Sequence, residues 1–306
     1  MMVPLLCCLL LGALSAEAKV VQNFDGCQHY FYKDQEPIGM DQNTVQICQK
    51  CIDTPYDVHF ATLYSPYHKI PLYSAYYFNP GAPSRAERKE WFIEPMLSGG
   101  TNDYMERETL HMDEKDQAVN ADYIGSGYDR GHLNPRFFQT GFGRDATFTL
   151  TNAAPMDPCF NRIHWYQWEA ATKKFLEKLT TKYQKELKLK VTEDPPQKVF
   201  IITGTVPQKD ERMPPLKRVT IPSVVWTAVC VHRFTAEEKS LSFGYMGANR
   251  ADNFIHMMSI PDMEGELTKL YGTAIKIFKD DCRSEKFKTV QEEYMDILKK
   301  TDTHDD

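Results

Sequence analysis

This 306-residue chain lacks an excess of basic charge. Its 36 Lys and Arg residues are outnumbered by 42 Asp and Glu residues, which gives a formal net charge of −6. A protein that coats nucleic acid draws on clustered cations, so this balance argues against a packaging role. It does not exclude an enzyme with a local basic site, because whole-chain charge governs solubility and steering rather than one cleft.

Long apolar runs are missing beyond the N-terminus. The longest later one, Val224–Val231, is far shorter than the ~18 residues that span a bilayer. Residues 3–14, by contrast, match the apolar core of a signal peptide, and small residues follow them. We predict a signal peptide over residues 1–18, cleaved after Ala18 or, as second choice, after Ala16. The protein would then be secreted and extracellular, without a stable membrane anchor. The alternative is a buried N-terminal helix.

Six cysteines remain after that cleavage. They are Cys27, Cys48, Cys51, Cys159, Cys230 and Cys282. An even number in an oxidising compartment predicts up to three disulfides and no free thiol, although the sequence leaves their connectivity open. Cys48 and Cys51 form a CxxC that could also be a redox pair or half of a zinc site. A second CxxC or an HxxxH motif is missing, so disulfide bonding is the favoured interpretation.

The predicted helices and strands do not alternate regularly. β-type residues predict strands at 59–65, 70–78, 147–151, 199–206, 219–231 and 241–247. Large apolar residues at helical spacing predict a helix from Asn161 to Leu189, with shorter helices at 263–272 and 284–299. Residues 79–123 read mostly as loop. This order favours an α+β fold over a doubly wound one, and without internal repeats or linkers we predict one domain over residues 19–306.

The densest run of chemically useful residues is Tyr128–Pro135, with the sequence YDRGHLNP. His132 suits a general base near neutral pH, and Arg130 offers a planar fork for phosphate oxygens. Taken alone, this motif is a weak signal, because a single histidine is more often structural.

A second segment strengthens the first. It contains Asn152 and, further on, Asn161, Trp165 and Glu169. In a helix that begins near Asn161, residues 161, 165 and 169 lie along one face. An amide oxygen and a carboxylate there could hold a hard cation such as Mg²⁺, which keeps several waters and needs few protein oxygens. The alternative is that Asn161 caps the helix and Glu169 is solvated.

Together these motifs resemble the DNA/RNA non-specific endonuclease family, the ββα-metal or His-Me finger nucleases. The resemblance extends over residues 55–250 and includes 69–78, Arg88 to Pro95, 122–135, 147–155, Asn161 to Glu169 and 200–206. It implies the ββα-metal nuclease fold, an α+β fold with a mixed, mainly antiparallel central sheet flanked by helices. It also implies metal-dependent hydrolysis of DNA and RNA, with the nucleic acid as substrate and little sequence preference.

The resemblance assigns three residues to the reaction centre. His132 would be the general base that activates water. Asn161 would be the sole protein ligand of one Mg²⁺ ion, with Mn²⁺ as an alternative, and Glu169 would orient water bound to that ion.

Three further residues receive supporting roles from the same resemblance. Asn152 would help to fix the catalytic groups, Arg130 would contact the phosphate, and Arg88 would stabilise the charge that develops during cleavage. The alternative function is a degenerate relative that binds nucleic acid or a protein partner without cutting.

Base-reading motifs such as zinc fingers, helix-turn-helix signatures and RNP sequences are missing, which agrees with little sequence preference. Four lysines, by contrast, fall on one stripe of the predicted long helix. They are Lys174, Lys178, Lys182 and Lys185. The stripe could steer a polyanion, but a solvated helix face interleaved with glutamates is the favoured interpretation.

Overall fold

The computed structural model describes residues 23–40, 43–81, 90–110, 112, 114–187, 197–234, 236–237, 240–252 and 254–302. The predicted signal peptide and Arg88 lie outside these described residues. Among the residues described, none of the helices combines the length and the apolar character that crossing a membrane requires.

The described strands and helices can be numbered in chain order. The strands are β1 (Val45–Cys51), β2 (Thr54–Ser65), β3 (Ile70–Tyr77), β4 (Asp129–His132), β5 (Ala153–Met156), β6 (Gln197–Arg212), β7 (Thr220–Arg233), β8 (Leu241–Ala248) and β9 (His256–Met258). The helices are α1 (Asn120–Tyr123), α2 (Gly141–Ala146), α3 (Tyr166–Glu186), α4 (Ile260–Tyr271) and α5 (Phe287–Asp302). A π-helix, Phe160–Trp165, leads directly into α3.

Seven of these strands form one sheet in the order β1-β2-β3-β6-β7-β8-β9, and β4 pairs with β5 in a separate two-stranded sheet. All of these strand pairs are antiparallel. The predicted α+β fold with a mainly antiparallel central sheet is therefore confirmed.

The predicted strand at 147–151 is wrong. Thr149 forms only an isolated bridge with Phe92, a 3-10 turn covers Leu150–Asn152, and the strand in this region is β5. The threonine side chains that suggested a strand instead bond to a buried carboxyl group, that of Glu94. Pairing with β4 selects the strand, so distant partners override local β propensity.

The central sheet is covered on both sides. Successive residues of a strand point to opposite faces, so Val229 and Val231 contact one core cluster while Ala228 and Cys230 contact the other. We call the side of the sheet that packs against α3 and α5 the α3–α5 face, and the side that packs against α4 the α4 face. The β4–β5 pair contributes Ala154 and Met156 to the core of the α3–α5 face.

Both disulfides belong to the core of the α4 face. They join Cys27 to Cys48 and Cys230 to Cys282. Cys51, three residues after Cys48, points into the core of the α3–α5 face instead. Cys51 is a buried thiol and Cys159 a half-buried one. The prediction of no free thiol is therefore wrong, and the CxxC is neither a redox pair nor a zinc half-site, because Cys48 is bonded to Cys27.

Candidate active site

The β4–β5 pair carries the predicted general base. Arg130 and His132 are two residues apart on β4 and therefore point to the same side, away from Gly131. A Cβ atom at Gly131 would lie only 2.2 Å from the Sδ atom of the buried Met156 side chain, so a larger residue here would force that side chain to move. The small residue thus lets β4 pack onto the core with its two polar side chains outward.

The helical segment that follows β5 and contains Asn161 begins earlier than predicted. Asp157 Oδ1 accepts hydrogen bonds from the backbone N–H groups of Cys159 and Phe160, at 2.9 and 3.0 Å. Asp157 is therefore the capping residue, with a proline at the first helical position. The alternative interpretation of Asn161 as a cap is wrong, since it lies inside the helical segment.

The π-helix changes which side chains share a face. Asn161 and Glu169 both line one cleft, whereas Trp165 is buried with its ring centroid 5.2 Å from that of Tyr245. The expectation that residues 161, 165 and 169 lie along one face is therefore wrong for Trp165. One-turn π segments are common at functional sites, where they redirect individual side chains.

The cleft has a volume of about 730 Å³ and collects most of the predicted site. His132, Arg130, Asn161 and Glu169 line it together. Arg130 and His132 come from β4, Asn161 from the π-helix and Glu169 from α3, so one strand and one continuous helical segment supply these four residues.

His132 is held by aromatic rings. Its ring centroid lies 4.6 Å from that of Trp91 and 5.0 Å from that of Phe148. Nε2 is enclosed and has no hydrogen-bond partner in the described part of the chain. Burial, together with the positive charge of Arg136, lowers the pKa of His132 to about 3. The imidazole is consequently neutral around pH 7 and can accept a proton.

Asp129 orients the predicted metal ligand. It accepts a hydrogen bond from Asn161 Nδ2 at 3.0 Å and two from Arg162, at 2.8 and 2.6 Å. Burial raises the pKa of Asp129, but the bonds from Arg162 and Asn161 outweigh burial and hold that pKa below its ordinary value. Because Nδ2 is occupied, Oδ1 is the atom of the Asn161 amide that remains to accept a ligand.

Glu169 is buried. The alternative interpretation, in which this side chain is solvated, is therefore wrong. Only 8% of the residue is exposed, and burial raises the pKa of its carboxyl group to about 8, with Trp165 acting in the opposite direction. A nearby cation would stabilise the ionised form. The described residues contain no cluster of three His, Cys, Asp or Glu side chains that could chelate a metal.

Arg130 forms part of the cleft wall in a fixed position. Its Nη2 donates to the carbonyl oxygen of Asn120 at 3.1 Å, and its guanidinium lies 4.9 Å from the centre of the Tyr123 ring. These contacts hold the side chain and leave Nε buried without a hydrogen-bond partner among the described residues.

Asn152 lies behind the cleft and is fully buried. Its Oδ1 accepts hydrogen bonds from the Ser74 hydroxyl and the Asn134 N–H, both at 2.9 Å. Its Nδ2 donates to the carbonyl oxygens of Thr147 and Asn134 at 2.9 and 3.2 Å. The amide therefore ties β3 to the segment that directly follows His132.

The sequence did not predict most of the basic wall of the cleft. Six cations line it: Arg130, Arg136, Arg144, Arg162, Lys173 and Lys174. Only two acidic side chains, Glu169 and Glu177, share that wall. The cleft is thus locally basic in a chain of net charge −6. The signal available in the sequence was proximity, since Arg136 and Arg162 closely follow the two motifs.

The lysine stripe of α3 is divided between two environments. Lys174 lines the cleft and donates to the Thr301 hydroxyl at 3.2 Å, while Lys178 forms an exposed ion pair with Glu293 at 3.5 Å. Lys182 and the other stripe lysines are exposed. The solvated-face interpretation holds for the stripe beyond Lys174.

Comparison with known proteins agrees with these motifs. The profile of the DNA/RNA non-specific endonuclease family matches residues 43–261, more than half of the chain. The chain belongs to this family.

Individual relatives cover the chain to different extents. The endonuclease domain-containing 1 protein of Homo sapiens is 29% identical over 282 residues, which cover 90% of this chain and 50% of that protein. The mitochondrial endonuclease G of Bos taurus is 38% identical over 106 residues, or 31% of this chain and 33% of that protein. A solved structure of the EndoG/EndoGI complex is 18% identical, covers 74% of this chain and 84% of that chain, and gives a TM-score of 0.46. This chain spans about half the length of the first curated relatives it matches.

Proposed function

We propose that this protein is a secreted, metal-dependent endonuclease that hydrolyses phosphodiester bonds of DNA and RNA with little sequence preference. The observation that carries the proposal is a single cleft whose wall contains His132, Asn161 and Glu169 together with six cationic side chains. Membership of a nuclease family supports the same reaction class.

Hydrolysis of a phosphodiester needs an activated water and relief of the charge that builds up on the phosphorus oxygens. The neutral imidazole of His132 takes the proton of the attacking water, a contribution of roughly 10²–10⁴ in rate for a positioned base. Arg130 contacts the phosphate, and Arg88 stabilises the developing charge. Asn152 keeps the end of β4 in position, which its four side-chain hydrogen bonds support.

The amide oxygen of Asn161 and the carboxyl group of Glu169, which line the same cleft, are the kind of hard oxygen donors that Mg²⁺, or alternatively Mn²⁺, takes. When bound, such an ion supplies Lewis-acid stabilisation of phosphate oxygens. Asn161 Oδ1 is the proposed direct ligand, because Asp129 holds Nδ2 on the other side of the amide. The buried carboxyl group of Glu169 would orient water next to this ion, since a bound cation stabilises the ionised form that burial disfavours.

Little sequence preference follows from the chemistry of the wall. Arginine and lysine side chains contact phosphates, which carry no sequence information. The two disulfides support an oxidising compartment, in agreement with the predicted signal peptide over residues 1–18.

A plasmid-nicking assay tests the proposal. Purified protein should convert supercoiled plasmid to open circles, and cleave single-stranded RNA, in Mg²⁺ or Mn²⁺ but not in excess EDTA. Ca²⁺ serves as a third ion that fills hard-oxygen sites with different geometry. Cleavage that persists in EDTA, or its absence with every ion, would contradict the proposal.

Nε2 of His132 is enclosed, so Nδ1 would have to be the base, and if it cannot reach the attacking water the alternative function, binding without cleavage, applies. A gel-shift measurement in EDTA alongside the nicking assay separates the two. Binding with no cleavage in any ion would establish the binding protein, whereas ion-dependent cleavage would establish the enzyme.

A further inference from the structure

A second cavity of about 850 Å³ lies next to the cleft along α3. Six of the residues that line it are Tyr77, Gln139, Phe142, Thr180, Gln184 and Gln197. Glu177 lines both spaces, and α2 separates them, with Arg144 on the side of the cleft and Phe142 on the side of the second cavity. A chain lying in the cleft could therefore continue into the second cavity.

The two spaces differ in chemistry. The cleft carries six cations, whereas the second cavity is lined mainly by amides, hydroxyl groups and aromatic rings. Its lysine, Lys198, lies 4.9 Å from the centre of the Tyr77 ring. Cations suit phosphates, while rings and amides suit the flat faces and polar edges of nucleobases.

Gln197 carries an unused acceptor in the wall of the second cavity. The residue is only 3% exposed, and its Nε2 donates to the Thr180 hydroxyl at 2.9 Å. Its Oε1 is buried and accepts no hydrogen bond from the described residues. A buried acceptor without a donor costs free energy, which a ligand that offers an N–H group would offset.

The spacing along α3 fits a nucleic acid strand. From Glu169 in the cleft to Thr181 in the second cavity, the helix advances roughly 18 Å at ~1.5 Å per residue. This distance corresponds to about five nucleotides of one strand at ~3.4 Å each. A strand whose scissile phosphate lies at His132 can therefore reach the second cavity with a nucleotide a few positions away.

We propose that the second cavity is a nucleobase subsite, which receives an unstacked base of a single strand while the phosphates of that strand lie in the cleft. The base stacks on Tyr77 or Phe142, and a small rotation of the Gln197 side chain lets the enclosed Oε1 accept a hydrogen bond from that base. This inference rests on the proposed nuclease function, because the cleft must hold the same strand.

Binding in EDTA, measured by fluorescence anisotropy, tests the subsite without cleavage. The probes are a labelled 12-nucleotide single strand of thymidines and an abasic strand with the same phosphates. The wild-type protein should bind the thymidine strand roughly 10-fold more tightly, since stacking of one base contributes about 5- to 150-fold. Phe142→Ala and Gln197→Leu should each reduce that preference to less than about threefold. Tyr67→Ala, an exposed aromatic residue in a different cavity, should keep it.

Thermal melts check that each variant is folded. Phe142 is half-exposed, so its substitution should disturb the fold less than substitution of the buried Gln197. Equal binding of the two strands by the wild-type protein would overturn the subsite while leaving the polyanion-binding cleft intact. A preference that both variants retain would also overturn it. Failure to bind either strand would contradict the proposed nuclease function and the subsite with it.

Discussion

The two faces of the central sheet are built for different purposes. The α4 face contains both disulfides and a largely apolar core. The α3–α5 face carries the cleft, two thiols and ionisable groups with displaced pKa values, including the half-buried His132 and the buried Glu169. Covalent cross-links stabilise one side, and the other accepts the free-energy cost of burying polar groups where chemistry needs them. Changes on the α3–α5 face should therefore affect activity, and changes on the α4 face should affect stability.

The largest expected effect is on the α3–α5 face. His132→Ala should reduce the cleavage rate by roughly 10²–10⁴, because the general base is lost. Its melting temperature and its affinity for nucleic acid in EDTA should change little. Initial rates of plasmid nicking measure the effect, and a variant that retained more than about a tenth of the wild-type rate would show that another group is the base.

The second effect belongs to the α4 face. The double substitution of Cys230 and Cys282 by alanine opens a loop with a sequence separation of 52 residues. It should lower the free energy of unfolding by roughly 4 kcal/mol, because the unfolded chain without the cross-link gains conformational entropy. Denaturant unfolding measures this loss. The cleavage rate at low temperature should stay close to the wild-type value. A parallel loss of rate would contradict the division of activity and stability between the two faces.

A smaller effect is expected at the proposed metal site. Glu169→Ala should weaken the response to Mg²⁺ by roughly 10–100-fold, as for other groups that act through a ligand or water. Asn161→Ala should raise the Mg²⁺ concentration for half-maximal activity further and lower the maximum rate.

The double variant tests whether the two residues serve one ion, in which case the two effects should not simply multiply. Activity against Mg²⁺ concentration for the four proteins is the measurement, with thermal melts as control. If Asn161→Ala kept the metal dependence of the wild-type protein, the assignment of the metal site to Asn161 would be contradicted.

The smallest effect concerns a buried carboxyl group behind the cleft. The carboxyl group of Glu94 accepts hydrogen bonds from the hydroxyls of Thr149 and Thr151, and burial raises its pKa from 4.5 to about 7. The folded state thus keeps a proton that the unfolded chain releases. Stability from this group is complete below pH 4.5 and is lost as the pH rises through about 7.

Glu94→Gln should remove that loss. The difference in melting temperature between this variant and the wild type should become more favourable to the variant as the pH rises from 5 to 8. Glu264→Gln on the α4 face is the matched control, because Glu264 is also buried but pairs with Lys276 at 3.0 Å. Burial raises the pKa of Glu264 as well, but the bonds from the Ile277 N–H and from Lys276 oppose that rise, so the pH-dependent gain should be smaller in this control. An identical difference from wild type at both pH values would contradict the assignment to Glu94.

Much of the fold could be predicted from local patterns. β7 was predicted at 219–231 and forms over Thr220–Arg233, since long runs of β-branched and apolar residues suit a strand buried on both faces. The prediction of a strand at 147–151 was wrong because the threonines in this segment donate hydrogen bonds to Glu94, which is distant in sequence. The π-helix was also missed, because a spacing of 3.6 residues cannot reveal a turn closed by i→i+5 hydrogen bonds.

The candidate site was only partly predictable for a related reason. His132, Asn161 and Glu169 belong to compact motifs that a single segment displays. Arg144 on α2 and Lys173 on α3 belong to separate elements, and only tertiary packing brings both into the wall of one cleft. The position of Asn152 behind the cleft likewise depends on β3, far away in the chain.

The central claim is that activity and stability reside on opposite faces of one sheet. Its most direct test measures the Mg²⁺-dependent nicking rate and the free energy of unfolding for three proteins: wild type, His132→Ala and the alanine double variant of Cys230 and Cys282. We expect His132→Ala to lose at least ~10² in rate with unchanged stability, and the double variant to lose stability with an unchanged rate at low temperature. Equal proportional losses of both quantities in both variants, or no nicking by the wild-type protein, would contradict it.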